Sequence, residues 1–135
     1  MIRVAAGILV REGRILICQR RSAGAFPLKW EFPGGKLREG ESAEAALERE
    51  LEEELGIGIS PEGIRRLEIV RHRYPGGPEV ELHFFQIGSF TGEPAGLAFE
   101  RIVWEPPGAL ATYDFLEADR PLVAQIAAGG VLSPA

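Results

Sequence analysis

Cysteine is almost absent from this 135-residue chain: Cys18 stands alone, so no internal disulfide can form and the composition suits a reducing compartment. Cys18 ends the apolar run Ile15 to Cys18 and reads as a small buried residue. Long apolar runs are missing too. Val4 to Val10 is seven residues between two arginines, short of the roughly 20 that a membrane span needs. It also lacks a cleavage-site pattern, so a cytoplasmic location and no membrane partner are expected. There is no internal repeat and no low-complexity segment, and at 45% hydrophobic the chain suits one globular domain over residues 1–135. The two histidines, His72 and His83, have no third partner to make a zinc site.

An overall positive balance is likewise lacking: the net charge is -5. A polyanion-binding protein is expected to carry a net basic face, so a nucleic-acid polymer is not the expected partner. The charge is unevenly spread. Residues 1–40 hold eight Lys/Arg against three acidic residues, whereas 41–62 hold one Arg against eight Glu. A basic segment beside an acidic cluster is what a metal-bridged phosphate site needs.

What is present is concentrated between Gly35 and Ile57, GKLREGESAEAALERELEEELGI. Glu50, Glu53 and Glu54 stand at i, i+3 and i+4 and share one face of any helix formed there. Like charges at that spacing repel, which calls for a cation among them, and hard divalent ions with oxygen ligands are the natural candidates. Glu44, Glu48 and Glu52 read instead as a solvated face. The spacing predicts a helix from an N-cap at Ser42 to Leu55, stopped by Gly56. Ala43, Ala46, Leu47, Leu51 and Leu55 would face the core. Arg49, four residues before Glu53, reads as the group that orients a carboxylate. Upstream, Phe32-Pro33-Gly34-Gly35-Lys36 is a turn whose backbone can approach a ligand and whose carbonyls could complete a metal shell.

Elsewhere, Val4 to Val10 and Ile15 to Gln19 read as strands joined at Glu12-Gly13, and Ser22 to Lys29 as a loop. Ile64 to Tyr74 and Val80 to Ile87 read as strands around a turn at Pro75-Gly76-Gly77-Pro78. A further strand includes Ile102 to Trp104. A closing helix runs from about Asp119 to Ala128 with Pro121 in its first turn, and the tail after Gly129 is expected to fray. Phe84, Phe85 and Trp104 read as core, while Trp30 and Phe26, in loops, could reach a ligand. The pattern is α/β, a mixed sheet with helices on its faces.

The stretch fits G-x5-E-x7-R-E-(apolar)-x-E-E-x-G-(apolar) at every fixed position, and these 23 residues resemble the Nudix box. Lys29 to Lys36, Gly92-Glu93-Pro94, Trp104 and Ala118 to Pro121 look like the MutT branch of that family. The resemblance implies an α/β/α sandwich. It also implies hydrolysis, with Mg²⁺ or Mn²⁺ as cofactor, of a small-molecule nucleotide such as 8-oxo-dGTP to the monophosphate and pyrophosphate. Cleavage of CTP-like nucleotides, dinucleoside polyphosphates or ADP-ribose is the alternative, Tyr74 lying where dinucleoside polyphosphate hydrolases carry a tyrosine. A non-catalytic nucleotide-binding module is a third, which the intact set of Glu50, Glu53 and Glu54 disfavours.

Carried over by position, Glu54, the carbonyl of Gly34, Glu50 and Glu53 are the metal ligands, with Glu50 or Glu53 as base. Arg21 and Lys36 are the helping cations. Where branch members carry a further glutamate, six residues before the tryptophan matching Trp104, this chain has Ala98. Glu100 is the candidate for that catalytic role if the segment is extended, since a shift of two keeps the face; otherwise it is a solvated loop carboxylate. The base pocket is expected from Arg21, Phe26, the backbone of Glu31, Phe32, Pro33 and Gly34, and Asp119. An ionised Asp119 only accepts hydrogen bonds, which suits the adjacent N1-H and N2-H of a guanine edge; capping the closing helix is its other reading. No residue carries a readable signal for oligomeric state.

Overall fold

The computed structural model describes residues 1–133. Ala5 to Val10 contains no polar side chain and is buried throughout, the mark of a strand covered on both faces. It lies in β1 (Ile2–Arg11), the middle of a mixed sheet ordered β3-β2-β1-β6-β5. The other members are β2 (Arg14–Gln19), β3 (Trp30–Glu31), β5 (Ile64–Arg73) and β6 (Glu79–Ile87). Two more strands join off this path: β4 (Gly34–Lys36) pairs with β1, and β7 (Arg101–Glu105) with β2. β1 runs parallel to β6 and antiparallel to β2 and β4.

Alternation along β1 divides the core. Ala6, Ile8 and Val10 join Leu82, Phe84 and Phe115 under α2 (Arg120–Ala127), whose Leu122, Val123 and Ile126 are buried there. Ala5 and Leu9 join Phe85 and Ile87 under α1 (Ala43–Leu55). Helices on opposite faces of one sheet make the α/β/α sandwich, and Phe84 and Phe85 point one to each side.

α1 forms at the predicted bounds. Ser42 Oγ accepts from the Ala45 N–H at 3.1 Å, and Gly56 ends the helix at φ 72°, its N–H returning to Glu52. Its five apolar stripe residues are all buried, each leucine contributing roughly 2 kcal/mol. Gly7 of β1 lets the layer come this close: a Cβ there would stand 2.7 Å from Ile87 Cδ1 and 3.4 Å from Leu47 Cδ1.

β1, β2 and β6 extend one or two residues beyond their predicted ends, whereas β5 stops one residue short, at Arg73. β3 and β4 were not anticipated as strands because each is only two or three residues and β4 begins with Gly-Gly. Trp30, expected in a loop, is buried in β3, edge-on to Tyr113 at 4.7 Å. Fraying after Gly129 is not seen in the described residues. Arg65 Nη2 donates to the Val131 carbonyl at 2.8 Å, Gln86 exchanges two hydrogen bonds with Ser133, and Leu132 packs on the α2-side core. Pro134 and Ala135 lie outside the described residues. Among those described, no helix is long and apolar enough to cross a membrane.

Leu51 is fully buried between α1 and the sheet. Leu51→Ala is expected to cost about 2–5 kcal/mol, read as a lower urea midpoint at unchanged slope. A loss under about 1 kcal/mol would mean that this layer does not close on α1.

Candidate active site

The acidic face of α1 looks onto β4, which is clamped against β1 with Ala5 opposite Gly35 and Ala6 opposite Gly34. Two glycines are required there. Gly34 has φ 153°, and a Cβ on it would overlap the Ala5 carbonyl. A Cβ on Gly35 would occupy the space of the Glu50 carboxylate. Backbone and carboxylate oxygens thus lie side by side, a donor set of the kind that hard divalent cations take.

Glu54 has a partner of its own, whereas Glu50 and Glu53 share one arginine. Glu54 Oε1 accepts from the Gly34 N–H at 2.9 Å. Glu50 Oε1 accepts from Arg49 Nη1 at 2.7 Å, and Glu53, 56% exposed, lies 3.9 Å from the same nitrogen. Among the described residues no three acidic, histidine or cysteine side chains are close enough together to hold a metal. The three glutamates therefore share a face, as expected, without forming a ready-made shell.

Arg49 has wider connections than the sequence suggested. Its guanidinium reaches Glu41 at 2.8 and 3.0 Å, Glu50 at 2.7 Å and the Lys36 carbonyl at 3.0 Å, tying α1 to the loop before it and to β4. Arg49 and the Arg38 N–H hold the Glu41 carboxyl down at about 2. Burial pushes the Glu54 carboxyl up to about 8 against the pull of the Gly34 N–H, with the charges of Glu31 and Glu50 adding to the rise.

Two cavities open beside Glu54. The larger, about 500 Å³, is mainly apolar: Ile2, Val4, Phe32, Tyr74, Val80 and Leu82 line it, with Asp119 among its few polar groups. The smaller, about 250 Å³, lies between the loop 21–25 and Ala98-Phe99. Asp119 is 3% exposed. Burial, reinforced by the charge of Glu31 and opposed by a hydrogen bond from the Phe32 N–H, raises its carboxyl to about 8. Two expectations change here. Asp119 stands at the N-cap position of α2 yet makes no side-chain cap, and its burial favours the neutral carboxyl, which is both a donor and an acceptor.

Of the other residues singled out, Phe26, Glu31, Phe32, Gly34 and Lys36 line the larger cavity. Phe26 packs against Tyr74 with ring centroids 5.0 Å apart and planes tilted by 46°. Arg21 lines the smaller cavity and donates to the Leu97 carbonyl at 2.9 Å. Pro33 turns away, its carbonyl accepting from the Gly7 N–H at 2.8 Å. Glu100 lines neither cavity, whereas Ala98 lines the smaller one. Residues 97–100 form bends, not an extended strand, so the same-face argument fails. His83 is held by Glu81 at 2.8 Å and Arg66 at 3.2 Å. Arg20, Tyr74 and the turn 75–78 line the larger cavity without having been named for it. Tyr74 alone carried a usable signal, as an aromatic at the mouth of a glycine-rich hairpin.

A carboxylate-bearing helix against a glycine-rich strand, beside a cavity with room for a nucleobase, is an arrangement that metal-dependent phosphohydrolysis can use. The NUDIX domain profile matches residues 1–126, and the chain belongs to that family, in its MutT-like branch: a hydrolase of phosphoric anhydrides in small-molecule nucleotides, of a kind that uses a divalent metal. It is 35% identical over 123 residues to the CTP pyrophosphohydrolase of Escherichia coli K12, covering 91% of this chain and 89% of that one. It is 37% identical over 125 residues to the 8-oxo-dGTP diphosphatase of Haemophilus influenzae, with coverage of 91% and 89%. The crystal structure of a MutT NUDIX hydrolase from Burkholderia pseudomallei superposes with a TM-score of 0.81 at 29% identity, over 92% of this chain and 96% of that one.

Lysine cannot span three partners as the Arg49 fork does. Arg49→Lys is therefore expected to lower turnover tenfold or more while the protein still unfolds cooperatively. Unchanged turnover would show that the fork does not position Glu50.

Proposed function

We propose that the protein hydrolyses 8-oxo-dGTP to the monophosphate and pyrophosphate with Mg²⁺, as a nucleotide-pool sanitising enzyme working in the cytoplasm. The observation that carries this reading is the buried Asp119, its carboxyl raised to about 8 by burial, in the wall of an apolar cavity with room for a nucleobase. A neutral carboxyl presents one O–H donor beside one carbonyl acceptor. The N7/O6 edge of guanine offers two acceptors, and would leave the carbonyl facing a lone pair. Oxidation at C8 places a hydrogen on N7, so the edge becomes donor and acceptor and complements the acid. Cytosine also sets an amino donor beside an acceptor, so the neutral acid complements it as well. A CTP-like substrate is the second reading, supported by the relative named for that activity.

Glu54 and the Gly34 carbonyl are assigned to hold the metal, together with one of Glu50 and Glu53, and the other of these two takes the proton of the attacking water. When bound, Mg²⁺ or Mn²⁺ supplies the positive charge that offsets the phosphates and makes that water acidic. Lys36 and Arg21 add positive charge along the phosphate path. Phe26 and Phe32 hold the base, and the apolar lining keeps water from competing for Asp119.

Glu54→Gln is expected to lower kcat by several orders of magnitude with an unchanged circular dichroism spectrum; turnover near wild type would remove Glu54 from the metal site. For Asp119 the folded-state pKa of about 8 stands above the ordinary aspartate value of about 3.9. The folded state then binds the extra proton between those values, so this group's contribution to stability falls as pH rises through that window. Asp119→Asn is thus expected to melt above wild type at pH 7–8, with the gap closing towards pH 4, and to keep its preference for 8-oxo-dGTP; Asp119→Ala should raise KM. A pH-independent gap would mean that the acid is ionised in the folded protein.

A further inference from the structure

The two cavities have four residues in common: Arg20, Ala25, Glu31 and Glu54. A nucleotide with its base at Asp119 and its phosphates at Glu54 must pass this boundary. An ion pair occupies it. Arg20 Nη1 donates to both Glu31 oxygens at 3.1 Å, Arg20 Nε donates to the Ala25 carbonyl at 3.0 Å, and the side chains are 31% and 19% exposed. Glu31 is placed there by β3, whose pairing with β2 sets it opposite Cys18. The charges of both Arg20 and Glu31 are felt at Glu54 and at Asp119, so the pair stands between the two ends of the site.

Entry of a polyphosphate upsets that balance. The incoming charge repels Glu31 and attracts Arg20, whose planar fork fits phosphate oxygens as well as it fits a carboxylate. Removing Arg20 alone would strand a largely buried carboxylate, which is costly unless another cation replaces the guanidinium. Glu54 stands on the same boundary, where the reading above puts a divalent cation. Both charges can then stay paired by exchanging partners.

We propose that the Arg20–Glu31 pair exchanges partners when substrate binds: the guanidinium passes to a phosphate oxygen, and Glu31 passes to the metal beside Glu54 as a further ligand. This rests on the metal assignment of the proposed function and not on the identity of the base. Arg20 is thereby a substrate contact, and Glu31 links phosphate binding to metal binding. The two ligands must then tighten each other's binding reciprocally.

The test is Mn²⁺ titration of the whole protein by electron paramagnetic resonance, with and without α,β-methylene-dGTP. In wild type the nucleotide is expected to tighten Mn²⁺ binding. Glu31→Gln should leave Mn²⁺ affinity within about twofold without nucleotide and lower it roughly tenfold with nucleotide. Adding Ala98→Glu, which puts a carboxylate on the opposite wall of the smaller cavity, should restore part of that loss, as it would not if Glu31 served only to hold the fold. Wild-type Mn²⁺ affinity of Glu31→Gln in the nucleotide complex would overturn the proposal. If Glu31→Gln does not fold, Arg20→Gln is compared with Arg20→Gln/Glu31→Gln, a neutral hydrogen-bonded pair: weaker Mn²⁺ binding in the double variant supports the exchange and equal binding overturns it. Mn²⁺ binding indifferent to Glu54→Gln would instead contradict the metal face of the proposed function. Sensitivity to Glu54→Gln but not to Glu31 overturns this inference alone.

Discussion

The close approach of the Gly34-Gly35 backbone to helix α1 is the constraint on which the site depends. A side chain on either glycine would occupy space already taken, by the Ala5 carbonyl on one side and by the Glu50 carboxylate on the other. Because β4 fits into that gap, its N–H can reach Glu54 and its carbonyls can lie beside the helix glutamates. The same approach depends on the layer beneath. Gly7 lets α1 settle onto β1, and Leu47, Leu51 and Leu55 hold it there by burial.

Crowded carboxylates are kept apart by arginines of different reach. Arg49 binds Glu41, Glu50 and the Lys36 carbonyl at once, so the preceding loop, the helix and the strand move together. Arg20 pairs with Glu31 at the boundary between the two cavities. Glu54, half-buried, and Asp119, buried, have no such partner, and loss of solvent raises both carboxyls to about 8. In the proposed function these two groups serve opposite parts of the nucleotide, Glu54 the metal and Asp119 the base. A protonated acid at the base end can tell a donor–acceptor edge from a double acceptor, and a carboxyl at the metal end gains its charge when a cation arrives.

Much of this was legible in the chain because it is local. The spacing of Glu50, Glu53 and Glu54, the leucine stripe, the Ser42 cap and the Gly56 stop all act within one helix, and α1 runs from Ala43 to Leu55 as read. What was not legible depends on contacts between distant segments. Trp30 is buried because Tyr113 covers it, and the tail is held by Arg65 and Gln86. Glu100 misses the cavity because residues 97–100 bend where an extended strand was assumed. Asp119 looked like a capping or acceptor residue until its burial against Phe32 was known. Arg20 and Arg21 are adjacent in sequence, and only the fold sends one to Glu31 and the other to Leu97.

The most direct test is pyrophosphate release with Mg²⁺ at pH 7 from 8-oxo-dGTP, dGTP and CTP, compared as kcat/KM. A preference of tenfold or more for 8-oxo-dGTP over dGTP, with the monophosphate and pyrophosphate as products, is the expected result. Equal turnover of 8-oxo-dGTP and dGTP would contradict selection of the base edge by a neutral Asp119.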